Sequence, residues 1–146
     1  MRAHNDPDRH ADAGETLISD ERSTLLMKSN TAQWYALATA EHRRAQKTRS
    51  DPTNYFFECE LFRRSVEDAL TALWTERHTR SAVPPHGIAH LASVLGLPHR
   101  LQSFVEDIEG VGRTQRIRTE RDVAVSSDAA YNILQWVEDR LRARQP

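Results

Sequence analysis

The stretch from Phe56 to Leu73 constrains the fold most, because its apolar residues recur every three or four positions. That spacing places them on one side of an α-helix over about five turns. The stripe consists of Phe56, Cys59, Phe62, Val66, Ala69, Leu70 and Leu73. Asp51 followed by Pro52 is a helix-start signal, so we predict a long helix over residues 52–78.

The same periodicity predicts helices over residues 31–47 and 86–95, and a further one that begins at Pro98. In the first of them, the predicted apolar face is Trp34, Leu37, Ala38, Glu41 and Ala45, flanked by Tyr35. Gly96 is a natural left-handed stop for the second. We expect Gly110 and Gly112 to end the third.

A last long helix should begin at Ser126 or Ser127, with Asp128 near its positive end. Its apolar stripe is Ala130, Ile133, Leu134, Val137 and Leu141. No segment alternates with a period of two for long enough to indicate a strand. We therefore predict an all-α protein, an up-and-down bundle of four or five helices. A short helical hairpin should lie between its second and last long helices.

The 146 residues fit one domain, in which polar residues 1–28 form a disordered or weakly helical leader before a bundle over residues 29–146. The net charge of −1 provides no global attraction to polyanions, so any such binding needs a local patch. No apolar run approaches the length of a membrane span, which favours a soluble, cytoplasmic protein without membrane contact. The single cysteine, Cys59, lies on the apolar stripe and should be a buried structural thiol.

Three segments in this order resemble the HEPN family (higher eukaryotes and prokaryotes nucleotide-binding). They are "NYFFECELFRRSVEDALTALWTERH", "VPPHGIAHLASVLGLP" and "AAYNILQWVEDRL", and the resemblance covers about residues 31–146. It implies a helical bundle that usually dimerises. Many members are ribonucleases, often toxins of toxin–antitoxin pairs. Others pair with a small nucleotidyltransferase, and some are non-catalytic binding or scaffold domains.

Active members of that family carry an arginine, four to six residues and then a histidine close to the start of the last long helix. The histidine accepts a proton and the arginine stabilises charge on the phosphorane, which permits metal-independent RNA cleavage. This chain has no histidine from Gly110 onwards, and its one match to the spacing is Arg80 with His86. These two are the candidate catalytic pair, although chance alone supplies such a match. These residues leave open whether the chain is an enzyme; the candidate activity is that of a metal-independent ribonuclease.

The segment "GVGRTQRIRTERD", here called the arginine segment (residues 110–122), contains Arg113, Arg116, Arg118 and Arg121. Guanidinium groups match phosphate oxygens in shape and charge, so these arginines are candidates for binding RNA or a nucleotide. Acidic neighbours dilute the patch. A solvated linker with local salt bridges is the alternative.

His86 and His90 have the i, i+4 spacing that can present two ligands to zinc, with His99 as a possible third. No acidic residue occupies the usual position between them, because residue 87 is glycine. A histidine that hydrogen-bonds the helix start is the alternative. We predict no metal and no cofactor.

The leading hypothesis is an HEPN-like protein of a toxin–antitoxin or defence module that acts on RNA or a nucleotide. Candidate partners are a second copy of the chain and a nucleotidyltransferase-like antitoxin. The second hypothesis is a non-catalytic interaction module with Trp34, Trp74 and Trp136 as candidates for its docking edge. Core packing should nevertheless occupy at least two of these tryptophans. The third is a sensor with a small-ligand pocket between helices.

Overall fold

The structure, a computed structural model, describes residues 15–19, 24–48, 51–79 and 81–143. Two strands come first, β1 (Glu15–Ser19) and β2 (Thr24–Lys28). The helices are α1 (Ser29–Lys47), α2 (Tyr55–Arg77), α3 (Ile88–Leu95), α4 (Gln102–Arg113) and α5 (Glu120–Ala143). Single 3₁₀ turns, Pro52–Asn54 and His99–Leu101, lead into α2 and α4.

The helical bundle confirms the predicted all-α class and its arrangement. α1, α2 and α5 are the long helices, and α3 and α4 form the short pair between α2 and α5. α2 occupies the centre, where it packs on α1, α5 and α3, while α4 packs mainly on α5. Within the described residues, no helix has the length and apolar character that a membrane span requires.

The stripe of α2 forms the core, as its periodicity predicted. Phe62, Val66, Leu70 and Leu73 are fully buried, and Cys59 is nearly so. Truncating such a core phenylalanine to alanine typically costs about 3–5 kcal/mol. Phe56, the first member of the stripe, is the exception, because it lies at the surface and exposes 59% of its area.

The start of α2 and the stripe of the last helix also agree with the sequence. Asp51 accepts a hydrogen bond from the backbone N–H of Thr53 at 3.0 Å, and Pro52 occupies the first position of the turn. That hydrogen bond lowers the pKa of Asp51. In α5 the predicted stripe is buried except for Leu134, which is half-buried.

The predicted face of α1 is right at Ala38 and Ala45 but wrong at Trp34 and Leu37. Its buried residues are Ser29, Thr31, Ala32, Tyr35, Ala38 and Ala45. Trp34 and Leu37 are instead exposed. The small residues face α2 because they let the two helix axes approach closely, which leaves the bulkier side chains outside.

Residues 15–28 contain an antiparallel hairpin, which differs from the disordered or weakly helical leader that their polarity predicted. β2 leads directly into α1, and Met27 is buried in the core. Lys28 fixes this junction, since its backbone N–H donates to Glu76 at 3.1 Å and its Nζ donates to the carbonyl of His78 at 3.0 Å. Residues 1–14 lie outside the described residues. The division of the chain at residues 28 and 29 therefore stays a prediction.

The short helices end differently from each other. α3 stops at Gly96 in the left-handed conformation, with φ of 75°, as predicted. α4 instead continues through Gly110 and Gly112 to Arg113. Neither of these glycines adopts a positive φ, so each keeps the helical conformation that its neighbours impose. The helix ends at Thr114, where the backbone becomes extended.

Candidate nucleic-acid interface

The structure divides the arginine segment among three elements. Arg113 is the last residue of α4, Arg116 and Arg118 lie in the connection over residues 114–119, and Arg121 lies in the first turn of α5. The predicted loop is therefore shorter than the sequence suggested, because α5 begins six residues before Ser126. The prediction that Ser126 or Ser127 caps the last helix is wrong, and Ser126 is buried inside that helix.

Thr119 and Asp122 form the cap of α5. The carboxylate Oδ2 of Asp122 accepts hydrogen bonds from the backbone N–H of Thr119 at 2.8 Å and from its hydroxyl at 3.2 Å. The Thr119 Oγ1 accepts in return from the backbone N–H of Asp122, also at 3.2 Å. This reciprocal pattern is a capping box, which satisfies two N–H groups at the helix start and places a negative charge at its positive end.

Arg116 is held by the same carboxylate. Its Nη1 and Nη2 donate to Oδ2 and Oδ1 of Asp122 at 2.7 and 2.8 Å, which is a bidentate pair. The guanidinium lowers the pKa of Asp122 and the carboxylate raises the pKa of Arg116. Asp122 is buried, whereas the Arg116 side chain is 57% exposed. The pair therefore fixes the guanidinium in one orientation while leaving it open to solvent.

Arg118 has a different role from the other arginines. Its Nη1 donates to the carbonyls of Thr114 and Arg116 at 3.0 and 3.1 Å, so the guanidinium closes the connection on itself. Its Cζ lies 5.0 Å from the centroid of the Phe56 ring, in cation–π contact. Arg118 thus joins the arginine segment to the start of α2.

These contacts border an open cavity of about 420 Å³, here called the α2 groove. Residues 115–118 form one wall, and Pro52, Thr53, Tyr55 and Phe56 form the other. Ile117, at the tip of the connection, is 89% exposed. The groove combines guanidinium groups with aromatic rings, which are the two kinds of side chain that bind single-stranded nucleic acid.

A buried polar layer lies beneath the groove, between α2 and α5. Cys59 lies close to Ser126, and burial raises the pKa of its thiol. Glu58 is fully buried next to it on α2. The burial predicted for Cys59 is confirmed.

The remaining arginines are exposed. Arg113 pairs loosely with Glu109 one turn earlier, at 3.7 Å, and its side chain is 72% exposed. Arg121 is exposed on the first turn of α5. Both side chains are therefore accessible to an anion near the groove.

The candidate catalytic pair is not brought to the groove by any described contact. His86 is exposed in the link that follows α2, whereas the groove lies at the opposite, N-terminal end of that helix. Arg80 lies outside the described residues. His90 and His99 are also exposed, and the described residues include no cluster of three or more His, Cys, Asp or Glu that could hold a metal ion.

The roles of three residues at this site, Thr119, Asp122 and Phe56, were not predicted from the sequence. The Thr119–Asp122 spacing is a capping signal that the sequence does contain, but the serines further along matched the apolar stripe better. Phe56 was assigned to the core because it continues the stripe of α2. Its contact with Arg118 joins residues far apart in the chain, and no local pattern reports such a contact.

A second cavity, of about 200 Å³, lies between α1 and α5. It is bordered by Tyr35, Thr39, His42, Tyr131 and Gln135, among others. Burial lowers the pKa of His42, so its ring is neutral near pH 7. The cavity is smaller than the roughly 300–1,000 Å³ of most ligand pockets.

These elements define a helical bundle, in which a groove of arginine and aromatic residues lies beside the start of the last helix. The fold is similar to the crystal structure of an archaeal HEPN homologue, with a TM-score of 0.59 and 19% sequence identity. The match covers 76% of this chain and 97% of the homologue. It confirms at the level of the fold the resemblance seen in the sequence. No protein-family model and no curated protein matches the chain.

Proposed function

We propose that this chain binds RNA or a nucleotide at the α2 groove, as an HEPN-like protein of a toxin–antitoxin or defence module. The observation that carries the proposal is the Arg116 guanidinium, held in one orientation by Asp122 yet open to solvent at the groove. A fixed guanidinium loses little entropy when it binds a phosphate oxygen. Arg113 and Arg121 extend the positive surface beyond it.

The helix end does not provide the binding energy for a phosphate. The start of α5 is an obvious place for an anion, but the carboxylate of Asp122 already occupies it. Phosphate affinity must therefore come from the arginine side chains. Substituting those arginines tests the proposal directly.

The test is binding of a fluorescently labelled single-stranded RNA at low salt, followed across a salt series. Arg116→Gln should weaken binding and reduce the slope of log affinity against log salt by about 0.7 for each phosphate that the variant no longer binds. Arg113→Gln should act in the same direction. Arg100→Gln is the matched control, because Arg100 is an exposed arginine in the turn before α4.

Two results would contradict the proposal. One is the absence of any salt-dependent binding by the unmodified chain. The other is an equal reduction in affinity for Arg100→Gln and Arg116→Gln, which would indicate a general charge effect.

Catalysis is a separate part of the proposal. Metal-free incubation with total RNA tests whether the chain is a ribonuclease, beside Arg80→Ala and His86→Ala. Cleavage that disappears in both variants would support the pair as catalytic residues. Cleavage that persists in both would exclude the pair, and no cleavage at all would favour a binding role alone.

A second candidate function is a non-catalytic interaction module, and it has an observation of its own. Trp34 and Leu37 are exposed one turn apart on α1, whereas Trp74 and Trp136 are buried, as predicted for two of the three tryptophans. A second copy or a nucleotidyltransferase-like antitoxin would dock on α1. Light scattering of the unmodified chain and of Trp34→Ser tests whether a homodimer forms through this face of α1. A dimer that persists in the variant excludes this face as the dimer interface.

A further inference from the structure

Phe56 is exposed although it continues an otherwise buried stripe. A single exposed phenylalanine is common and needs no functional explanation by itself. Phe56 differs because it lines the α2 groove and because a guanidinium covers one face of its ring. The residue exposes 59% of its area, so much of its surface is available to a ligand.

Arg118 holds this arrangement in the absence of a ligand. Its two hydrogen bonds to the carbonyls of Thr114 and Arg116 tie it to the backbone of the connection. The phosphate-binding role predicted for Arg118 from the sequence requires its guanidinium to turn freely towards a phosphate. These hydrogen bonds prevent that movement. The guanidinium instead fixes the connection against the ring of Phe56.

We propose that Phe56, backed by Arg118, is a stacking platform for one unpaired nucleobase. The inference rests on the proposed function and deepens it, because it assigns the base to Phe56 and the phosphate to Arg116. Aromatic side chains stack on bases of any sequence, since every base has a π-face. A base inside a duplex is already stacked on both faces, so the platform selects single strands or free nucleotides.

The size of the groove agrees with this ligand. Its volume of about 420 Å³ lies within the range that small-molecule sites occupy. The arginines reach it from one wall and the aromatic residues from the other. A ligand with a planar base and an adjacent phosphate contacts both walls together, which neither a simple anion nor an apolar molecule does.

The experiment measures binding of three probes: a single-stranded oligoadenylate, the same length of RNA duplex, and inorganic polyphosphate. Phe56→Leu should weaken oligoadenylate binding about fivefold to tenfold and leave polyphosphate binding unchanged. Phe56→Trp keeps a ring and should retain oligoadenylate binding. Tyr131→Leu is the matched control, because Tyr131 is also 59% exposed but lies on α5 beside the other cavity.

The outcomes separate the two proposals. If Phe56→Leu binds oligoadenylate as well as the unmodified chain while Arg116→Gln does not, phosphate binding stands and the platform is wrong. Equal reductions in affinity for Phe56→Leu and Tyr131→Leu, or for oligoadenylate and polyphosphate, also overturn the platform. If the unmodified chain binds none of the probes, both proposals fail. A thermal melt of each variant shows that it is folded.

Discussion

Asp122 and Glu41 are two carboxyl groups with opposite surroundings. Asp122, at the start of α5, meets a guanidinium and two donors of Thr119. Glu41, on α1, meets the carboxyl group of Asp68 on α2. The first carboxylate is stabilised in its charged form. The second is stabilised only when it carries a proton.

The pKa values express this difference. Hydrogen bonding to Arg116 holds the pKa of Asp122 below its usual value of 3.8. Burial, and then the neighbouring carboxyl group of Asp68, raises the pKa of Glu41 from 4.5 to about 8, although Arg63 and Arg64 partly oppose the shift. Burial also raises the pKa of Asp68. The two acids therefore share a proton near neutral pH.

The two regions respond to pH in opposite directions. A depressed acid pKa contributes stability that is present above the unfolded value of 3.8 and is lost as pH falls through the folded value. A raised acid pKa means that the folded state binds more protons between 4.5 and about 8, so stability falls as pH rises across that window. Charge is therefore built into the connection before α5 but excluded from the contact between Glu41 on α1 and Asp68 on α2.

The largest effect should come from Asp122→Ala. The substitution removes the cap of α5 and the partner of Arg116, and without the cap the free energy of unfolding should fall by about 2 kcal/mol. Urea denaturation at neutral pH measures it. Asp128→Ala is the control, because Asp128 is exposed on the same helix and accepts one long hydrogen bond from Asn132, at 3.3 Å. Similar reductions in the two variants would show that the capping box does not stabilise α5.

A smaller effect, of opposite sign, should come from Glu41→Gln. Glutamine needs no proton to hydrogen-bond Asp68, so the variant should be more stable than the unmodified chain above the pKa of Glu41. The gain should be about 1 kcal/mol at about pH 9, after allowance for the partial exposure of the site, and should vanish at about pH 4. Denaturation at both pH values measures it, beside Glu106→Gln at an exposed position of α4. A gain that is the same at both pH values would contradict the shared proton.

The parts of the fold that the sequence predicted depend on local patterns. The stripe of α2, the Asp51–Pro52 start and the stop at Gly96 each need only neighbours along the chain. The face of α1 was only partly right because its many alanines satisfy more than one helical stripe, and only contact with α2 decides between them. The hairpin of β1 and β2 depends on pairing between two five-residue segments, neither of which is long enough to indicate a strand by itself.

Only part of the candidate site was predicted, because local patterns identify a segment but do not show its contacts with distant residues. The four arginines identified the right segment, but their roles depend on partners that the sequence does not place. Asp122 is six residues from Arg116, whereas Phe56 is more than sixty residues from Arg118. The capping signal could have placed Asp122 at the start of α5, a few residues from Arg116. The second pair required the packing of α2 against α5, which brings the start of one helix to the start of the other.

The smallest stability effect should come from Arg116→Gln, and it decides how RNA binding by that variant is interpreted. Arg116 is solvent-exposed, and Asp122 keeps its hydrogen bonds to Thr119 without it, so the melting temperature should fall less than in Asp122→Ala. At about 1 M salt, where screening extends over only about 3 Å, the difference from the unmodified chain should shrink further. A decrease as large as that of Asp122→Ala would mean that the guanidinium holds the start of α5 in place. Weaker RNA binding by Arg116→Gln would then report a displaced connection rather than the removal of a phosphate-binding group.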